Sequence, residues 1–491
     1  MKLAELCHGI AHLLDPQAAD LEITHITHDS RKAQHGSIFV AIEGDRTDGH
    51  DYISGACQLG AVCVLTGNPE KVSCQIPILK ASEPGKAMAL LARRLYQEPD
   101  GRLKVIGVTG TNGKTTCTYL INDLLKPLGI SGRIGTLSYF NGVSEEKAAH
   151  TTPEAGDVFR LLDEMVANHC RFAAIEVSSH GLALGRVYGL QLAYGIFTNL
   201  SRDHLDFHRN MEDYFQAKLK MFSMLKPGAT AIVNWDDPHG RRIQPPRGAR
   251  FIRFGMSSEA DLRFELLETR IDGSRFFLFH EGRRQEFNIP LLGRHNVYNF
   301  VAAVAVALSE GLSLEDLAAA APLVSPIPGR TEPIDLGQDF TVMVDFAHTP
   351  DALEKMLLAC RQVKPQRLIV VFGAGGDRDT SKRKEMGATA DSLADLIFLT
   401  SDNPRNEDPE SIMDMIAEGI ARPLGPGFYR NWDRRAAIRE AVMAARAGDL
   451  ILIAGKGHET TQEIKNVLRP FNDRMVAEKA IRARLGGRDY V

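Results

Sequence analysis

The chain has 491 residues, 44% of them hydrophobic and 24% charged, with a formal net charge of −4. That is too long for one ordinary core, so roughly two to four domains are expected, and the charge balance excludes a general binder of polyanions. No apolar run is long enough to span a membrane, and the opening MKLAELCHGIAHLLDP carries acidic residues where a signal peptide has its apolar core, so a cytoplasmic protein is expected.

The first stretch closes on KAMALLARRLYQEPDG, a helical pattern ended by Pro99 and Gly101. The apolar run Arg102 to Thr109 (RLKVIGVT) then predicts a buried parallel strand, and Thr115 to Leu125 predicts a helix stopped by Pro127 and Gly129. Between them lies VTGTNGKTT, residues 108 to 116. Strand, glycine turn and helix present backbone N–H groups and a helix N-terminus to an anion. Gly110 and Gly113 let the backbone approach phosphate oxygens, Lys114 supplies a mobile charge, and Thr115 offers a hydroxyl to Mg2+. Val108 stands where the strict phosphate-loop rule has Gly. The loop specifies a nucleotide phosphate and leaves hydrolysis, transport, kinase and ligase chemistry open.

Further along, AAIEVSSHG puts Glu176 at a strand end, where a carboxylate takes Mg2+ or caps the next helix. NLSRDHLDFH gathers Asp203, His204, Asp206 and His208. Without a cysteine this favours no zinc site; His204 suits a second divalent ion, and His208 reads as a solvated helix-entry residue. The next predicted helix, MEDYFQAKLKMFSMLKPG, carries an apolar seam of Met211, Phe215, Phe222 and Leu225. Lys218 falls on that seam. Either its ammonium snorkels to water, or it is held in a cleft and modified, a carbamate turning the cation into an anion able to hold a metal ion.

A helix around Val301 to Leu308 precedes a second boundary at SPIPGR, residues 325 to 330. Beyond it, strands FTVMVDFA, RLIVVFGAGG, DLIFLTSD and DLILIAGKG alternate with helical segments, which predicts a parallel sheet covered on both faces. Ligands of such sheets sit beyond the carboxyl ends of the strands, and the polar clusters 109–115, 176–181, 199–208, 345–350, 373–378, 401–405 and 455–459 all fall there. An active site between two α/β domains is expected. Arg378 of GAGGDR and Arg405 of DNPR sit at strand ends, where guanidinium groups grip a carboxylate or form surface salt bridges.

The ordered set GTNGKT, EVSSHGL, RDHLDFH, YFQAK, GRHNVYN, PGRTE, FAHTPD, GGDRD, DNPR and AGKGHE, preceded by THDSRKAQHGSIFVAIEGDRTDGH, resembles the Mur ligases. The resemblance implies an α/β chain of three domains. A UDP-sugar-binding domain would span 1–97, a central ATPase-type phosphate-loop domain 98–328, and a Rossmann-like amino-acid-binding domain 329–491. It implies a monomeric, cytoplasmic ligase of peptidoglycan precursor synthesis that spends ATP, with two Mg2+ ions, to join meso-diaminopimelate to the D-Glu carboxylate of UDP-MurNAc-L-Ala-D-Glu through an acyl phosphate.

By position, Gly110, Thr111, Asn112, Gly113, Lys114, Thr115 and Thr116 would hold the ATP phosphates, Asn299 and Arg330 the adenine end, and Asp345 the ribose side. Thr115, Glu176, His204 and carbamylated Lys218 would hold metal, with Lys114, Lys218 and His204 catalytic. Ser30, Thr151, Thr152, Ser178 and Arg186 would bind the UDP substrate. Here the chain departs from the family pattern, with His150 before the Thr pair and Leu184 two places before Arg186. Arg378, Asp402, Asn403, Pro404, Arg405, Gly455 and Glu459 would hold the amino acid, with Glu459 on its distal ammonium. A buried Arg405 left unpaired by lysine would favour diaminopimelate by about a hundredfold or more. The rival readings are a lysine-adding ligase of the same family, folylpolyglutamate synthetase, a nucleotide-hydrolysing switch and a non-catalytic nucleotide-binding module.

Overall fold

The computed structural model describes residues 1–44 and 47–486. Three sheets organise them. The first has five strands, with His25–Thr27, Ser37–Val40, Ala61–Thr66 and Ile78–Lys80 parallel and His12–Leu13 antiparallel at the edge. The second has eleven strands, and Lys104–Thr109 lies inside it between Phe172–Glu176 and Leu192–Phe197. The third has six, ordered Glu332–Ile334, Thr341–Asp345, Leu450–Ala454, Leu368–Phe372, Leu396–Leu399 and Phe428–Arg430.

The parallel strands are buried along nearly their whole length, because helices cover both faces. In the second sheet the helices Lys114–Leu125 and Arg294–Ser309 pack together on one face, around Leu120, Leu124, Phe300 and Val304. On the other face the helix Ala155–Ala167 packs against Pro84–Leu95, which joins the first sheet to the second through a shared core. The third sheet is covered by Pro350–Gln362 and Lys382–Leu393 on one side and by Arg434–Ala444 and Asp473–Arg484 on the other.

In the second sheet the chain moves outward from Lys104–Thr109 on one side, then crosses to Leu192–Phe197 on the other. That reversal of strand order leaves a crevice at the carboxyl end of Lys104–Thr109, where the phosphate-type loop sits.

Two local expectations change. The segment from Met211 is helical only to Leu219; a 3-10 turn follows over Lys220–Met224, and Leu225 begins a strand paired with Leu192. Pro227 and Gly228 follow after Lys226, and backbone pairing in the sheet prevails over the helical spacing of the apolar seam. The antiparallel ribbon Leu262–Arg270, Gly273–His280 and Arg283–Ile289 also extends the central sheet beyond its parallel part.

Arg434 joins the carboxyl ends of two strands of the third sheet. Its guanidinium donates to Asp473 at 2.7 Å from both Nε and Nη2, and to the carbonyls of Ser401 (3.2 Å) and Ala454 (2.9 Å). Both side chains are fully buried. Truncating one partner strands the other charge away from water, so Arg434→Met is expected to lower the unfolding free energy by about 3–5 kcal/mol. Urea titration of the two proteins measures this, and a loss within experimental error of zero would mean that Asp473 is solvated.

Candidate active site

A cleft of about 690 Å³ opens between the second and third sheets. From the central sheet it takes the loop Thr111 to Thr116, Glu176, His204 and Asn299; from the C-terminal side come Arg330, Asp345, His348 and Arg378. The two halves are tied across the crevice. Asn112 Nδ2 donates to Asp351 at 3.0 Å, Arg202 pairs with Glu385 at 2.8 Å, and Asp203 faces Lys382 (3.7 Å) and His348 (3.9 Å).

The loop is shaped by two glycines. Gly110 (φ +149°) and Gly113 (φ +90°) lie in conformations that L side chains rarely adopt, and a Cβ at either would collide, with Thr198 and Asn299 respectively. Lys114, the first residue of the following helix, folds its ammonium back onto the carbonyls of Gly110 (3.0 Å) and Thr111 (2.9 Å). Burial pushes its pKa down, against the pull of Glu176 and Asp203.

Glu176, 1% exposed, does not cap the next helix; Ser178 does that, accepting from Gly181 N at 3.0 Å. The Glu176 carboxylate accepts from Thr115 Oγ1 (3.0 Å), Thr136 Oγ1 (2.9 Å) and Thr136 N (2.9 Å). Thr115 and Glu176 therefore present hard oxygen donors side by side at the loop, the donor set a Mg2+ ion takes.

His204 has its backbone in the left-handed region (φ 56°) and stacks edge-on with His180 at 4.9 Å. Its side chain is 40% exposed, yet it faces a cleft rather than bulk solvent. Lost solvation there pushes its pKa below the usual histidine value, against the pull of Asp203, which favours the neutral ring as a nitrogen donor. His208 is not a solvated residue: it is buried, with Nε2 2.9 Å from Ser179 Oγ, and the helix N-cap is Asn210.

Lys218 does not snorkel. It is 1% exposed, its amine lies 4.3 Å from the centre of the Tyr214 ring, and it donates to Gly110 O at 2.8 Å, the carbonyl that Lys114 also uses. Burial first, and Lys114 second, hold its pKa well below the usual lysine value. As a free amine it is a donor; only a carbamate would present oxygens to a metal.

Asn299 and Arg330, expected at the adenine end, line the cleft beside the phosphate loop. Asn299 lies against Gly113, and Arg330 Nη2 donates to Thr115 Oγ1 at 3.3 Å. The reason is packing: the helix carrying Asn299 runs beside the helix that starts at Lys114. Arg330 also stacks over Phe346 at 4.4 Å. Asp345 is buried and accepts from Thr331 N (2.7 Å) and Ala347 N (2.8 Å), with burial raising its pKa against the pull of Arg330.

Thr151 reaches the Glu176 cluster through Thr136 at 3.1 Å. Thr152, fully buried, donates to Glu176 O (2.7 Å) and lies 3.1 Å from Ser178 Oγ, and Arg186 donates to Thr152 O (3.0 Å) and pairs with Glu154 (2.7 Å). Ser30 is on a turn of the first sheet's unit, Ser30–Lys32, outside this network.

The amino-acid candidates divide. Arg378 lines the large cleft, whereas Asp402, Asn403, Pro404, Arg405, Gly455 and Glu459 cluster beyond it at the ends of the third sheet's strands. Asn403 Nδ2 donates to Glu459 at 2.8 Å, and Asp402 Oδ2, close to Gly455, is buried without a hydrogen-bond partner among the described residues. Two residues that the sequence reading passed over complete the cluster. Lys456, fully buried, donates to Asn403 (2.9 Å) and Glu459 (2.5 Å); Glu463 pairs with Arg405 Nε at 3.2 Å. Arg405 therefore has a counter-ion of its own, so a ligand lacking a distal carboxylate does not leave it unpaired. Lys456 lies within AGKGHE and was open to discovery there, but nothing local marks Glu463, which a two-stranded hairpin brings to Arg405.

Comparison with known proteins gives a consistent picture. Residues 108–307 match the model of the Mur ligase middle domain, 329–457 that of the Mur ligase glutamate ligase domain, and 22–96 that of the catalytic domain of the Mur ligase family. The UDP-N-acetylmuramoyl-L-alanyl-D-glutamate–2,6-diaminopimelate ligase of Solibacter usitatus is 41% identical over 489 residues, covering 98% of both chains. The protein of that name from Geobacillus kaustophilus is 40% identical over 491 residues, covering 99% of this chain and 100% of its own. A solved structure of a ligase of that name is 32% identical with a TM-score of 0.69, covering 99% of each chain. A UDP-N-acetylmuramoylalanyl-D-glutamyl-2,6-diaminopimelate–D-alanyl-D-alanyl ligase from Acinetobacter baumannii shares the fold at 19% identity, with a TM-score of 0.64 over 94% of this chain and 93% of its own.

Proposed function

The chain belongs to the Mur ligase family, and on that premise we propose that it is the ATP-dependent ligase that joins 2,6-diaminopimelate, as the meso isomer, to the D-Glu carboxylate of UDP-MurNAc-L-Ala-D-Glu. The observation that carries this reading is the shared cleft. It sets a phosphate loop, an acidic cluster and the arginines of a second α/β unit around one space. The arrangement suits an amide ligase that works through an acyl phosphate, because an unactivated carboxylate has no good leaving group.

The D-Glu carboxylate attacks the γ-phosphorus, forming a C–O–P bond and releasing ADP. The acceptor's amine then attacks the acyl carbon, and inorganic phosphate leaves with the electron pair of the C–O bond. Lys114 and Arg330, both at the loop, would compensate the negative charge on the phosphoryl oxygens. Thr115 and Glu176 would hold one Mg2+, and His204 with carbamylated Lys218 a second; when bound, these ions would supply further charge neutralisation at the phosphates. The tie between Asn112 and Asp351 keeps the loop aligned with the C-terminal unit, which orients the acceptor toward the activated carboxylate. This chemistry belongs to cytoplasmic synthesis of peptidoglycan precursors.

Phosphate release measured with each substrate omitted in turn tests the reading. A ligase needs ATP, the UDP-linked dipeptide and the amino acid together, with meso-diaminopimelate preferred to L-lysine. Steady release from ATP alone would instead mark a nucleotide-hydrolysing switch, and equal use of lysine would remove the assignment of the acceptor.

A further inference from the structure

Arg405 is held through its backbone and its guanidinium alike. Its backbone lies in the left-handed region (φ 51°) and is clamped to the hairpin Thr461–Pro470, donating to Glu463 O (3.1 Å) and accepting from Lys465 N (2.7 Å). Its Nη1 donates to Gly376 O at 2.6 Å. Among the described residues the edge formed by Nε and Nη2 has no backbone partner, so a carboxylate can be gripped there by two parallel N–H bonds. On that edge the Glu463 carboxylate already faces Nε at 3.2 Å.

Two carboxylates cannot share the edge of one guanidinium without strong repulsion. Of the two internal ion pairs in the cluster, only one can open. Lys456 is fully buried and held by Asn403 and Glu459, so it stays. The Glu463 side chain is 32% exposed and has no side-chain hydrogen bond among the described residues, so it can turn out to water. Its backbone would stay in place, donating to Asn403 Oδ1 at 3.0 Å.

We propose that Glu463 is an internal competitor for the acceptor's distal carboxylate: it occupies Arg405 until that carboxylate displaces it, and so sets both affinity and selectivity at the amino-acid pocket. This rests on the proposed diaminopimelate-adding function. An acceptor without the distal carboxylate leaves the Arg405–Glu463 pair closed, so it is disfavoured less than it would be by an arginine with no partner.

Steady-state kinetics of the full chain and of Glu463→Gln, at saturating ATP and UDP-MurNAc-L-Ala-D-Glu, test this with meso-diaminopimelate and L-lysine as alternative acceptors. In the variant the KM for diaminopimelate is expected to fall about fivefold, the weight of a partly exposed ion pair. The change should appear in KM rather than kcat, and the KM for lysine should not fall. A merely structural Glu463 would move both acceptors together. Glu463→Ala, with thermal unfolding of each protein, separates these effects from misfolding. The proposal is overturned if both variants leave the KM for diaminopimelate unchanged or raise it, or if both acceptors improve equally. Should the wild-type protein make no product from diaminopimelate, the proposed function fails first, and this inference fails with it.

Discussion

Lys114→Met is expected to reduce ligation by about a thousandfold or more, with the loss in the chemical step as well as in ATP binding. Lys114 opens the helix that follows Gly113, so its amine can swing from the Gly110 and Thr111 carbonyls toward a phosphate without moving the backbone. Desolvation already destabilises its charge. Such an ammonium gains more from a developing phosphoryl anion than an exposed lysine does, because the low-polarity surroundings strengthen the attraction. The same desolvation means that Met should leave the unfolding midpoint unchanged or raised. Single-turnover phosphate release combined with thermal unfolding checks both halves. Activity within tenfold of wild type in the folded variant would show that this loop does not carry the phosphoryl transfer.

Lys218→Met is expected to cost about a hundred- to a thousandfold in kcat/KM, again without loss of stability. Two amines share the Gly110 carbonyl, and burial together with Lys114 lowers the proton affinity of the Lys218 amine and so favours its neutral form. A neutral amine is the form that adds to CO2: an N–C bond forms, one proton is released, and a carbamate anion replaces a potential cation. Because the protonated amine cannot react, loading falls as the pH drops through the lowered pKa of Lys218. Lys218→Arg should not restore activity, since arginine stays cationic and cannot form the anion. A carbamate resonance from 13C-labelled bicarbonate, present in wild type and lost in Lys218→Met, would confirm the modification. Full activity in Lys218→Met would end this account.

Much of the architecture could be read along the chain. Buried parallel strands appear as short apolar runs and their helices as periodic ones, so the alternation after residue 340 and the strand–loop–helix around Gly110 were plain. The ribbon from Leu262 to Ile289 was not singled out, because its strands are exposed in part and pair as an edge extension rather than as a core. The helix from Met211 was overextended, because spacing alone does not register that Leu225 pairs with a strand more than thirty residues earlier.

The candidate site divides in the same way. Local order along the chain was enough for the loop glycines, Lys114 and Thr115, because a strand end, a turn and a helix start dictate where those groups point, whereas Glu176 was turned from helix capping by the distant Thr115 and Thr136. Local order was also enough to place Lys218 on a packed face. Where that amine goes, that Arg330 and Asn299 meet the phosphate loop, that His208 is enclosed, and that Arg405 meets Glu463 were decided only when separate elements packed together. Backbone geometry within a strand–turn–helix is governed by neighbours a few residues away; burial, ion pairing and proton affinity are set by whatever segment the fold brings within a few ångströms, however distant it is along the chain.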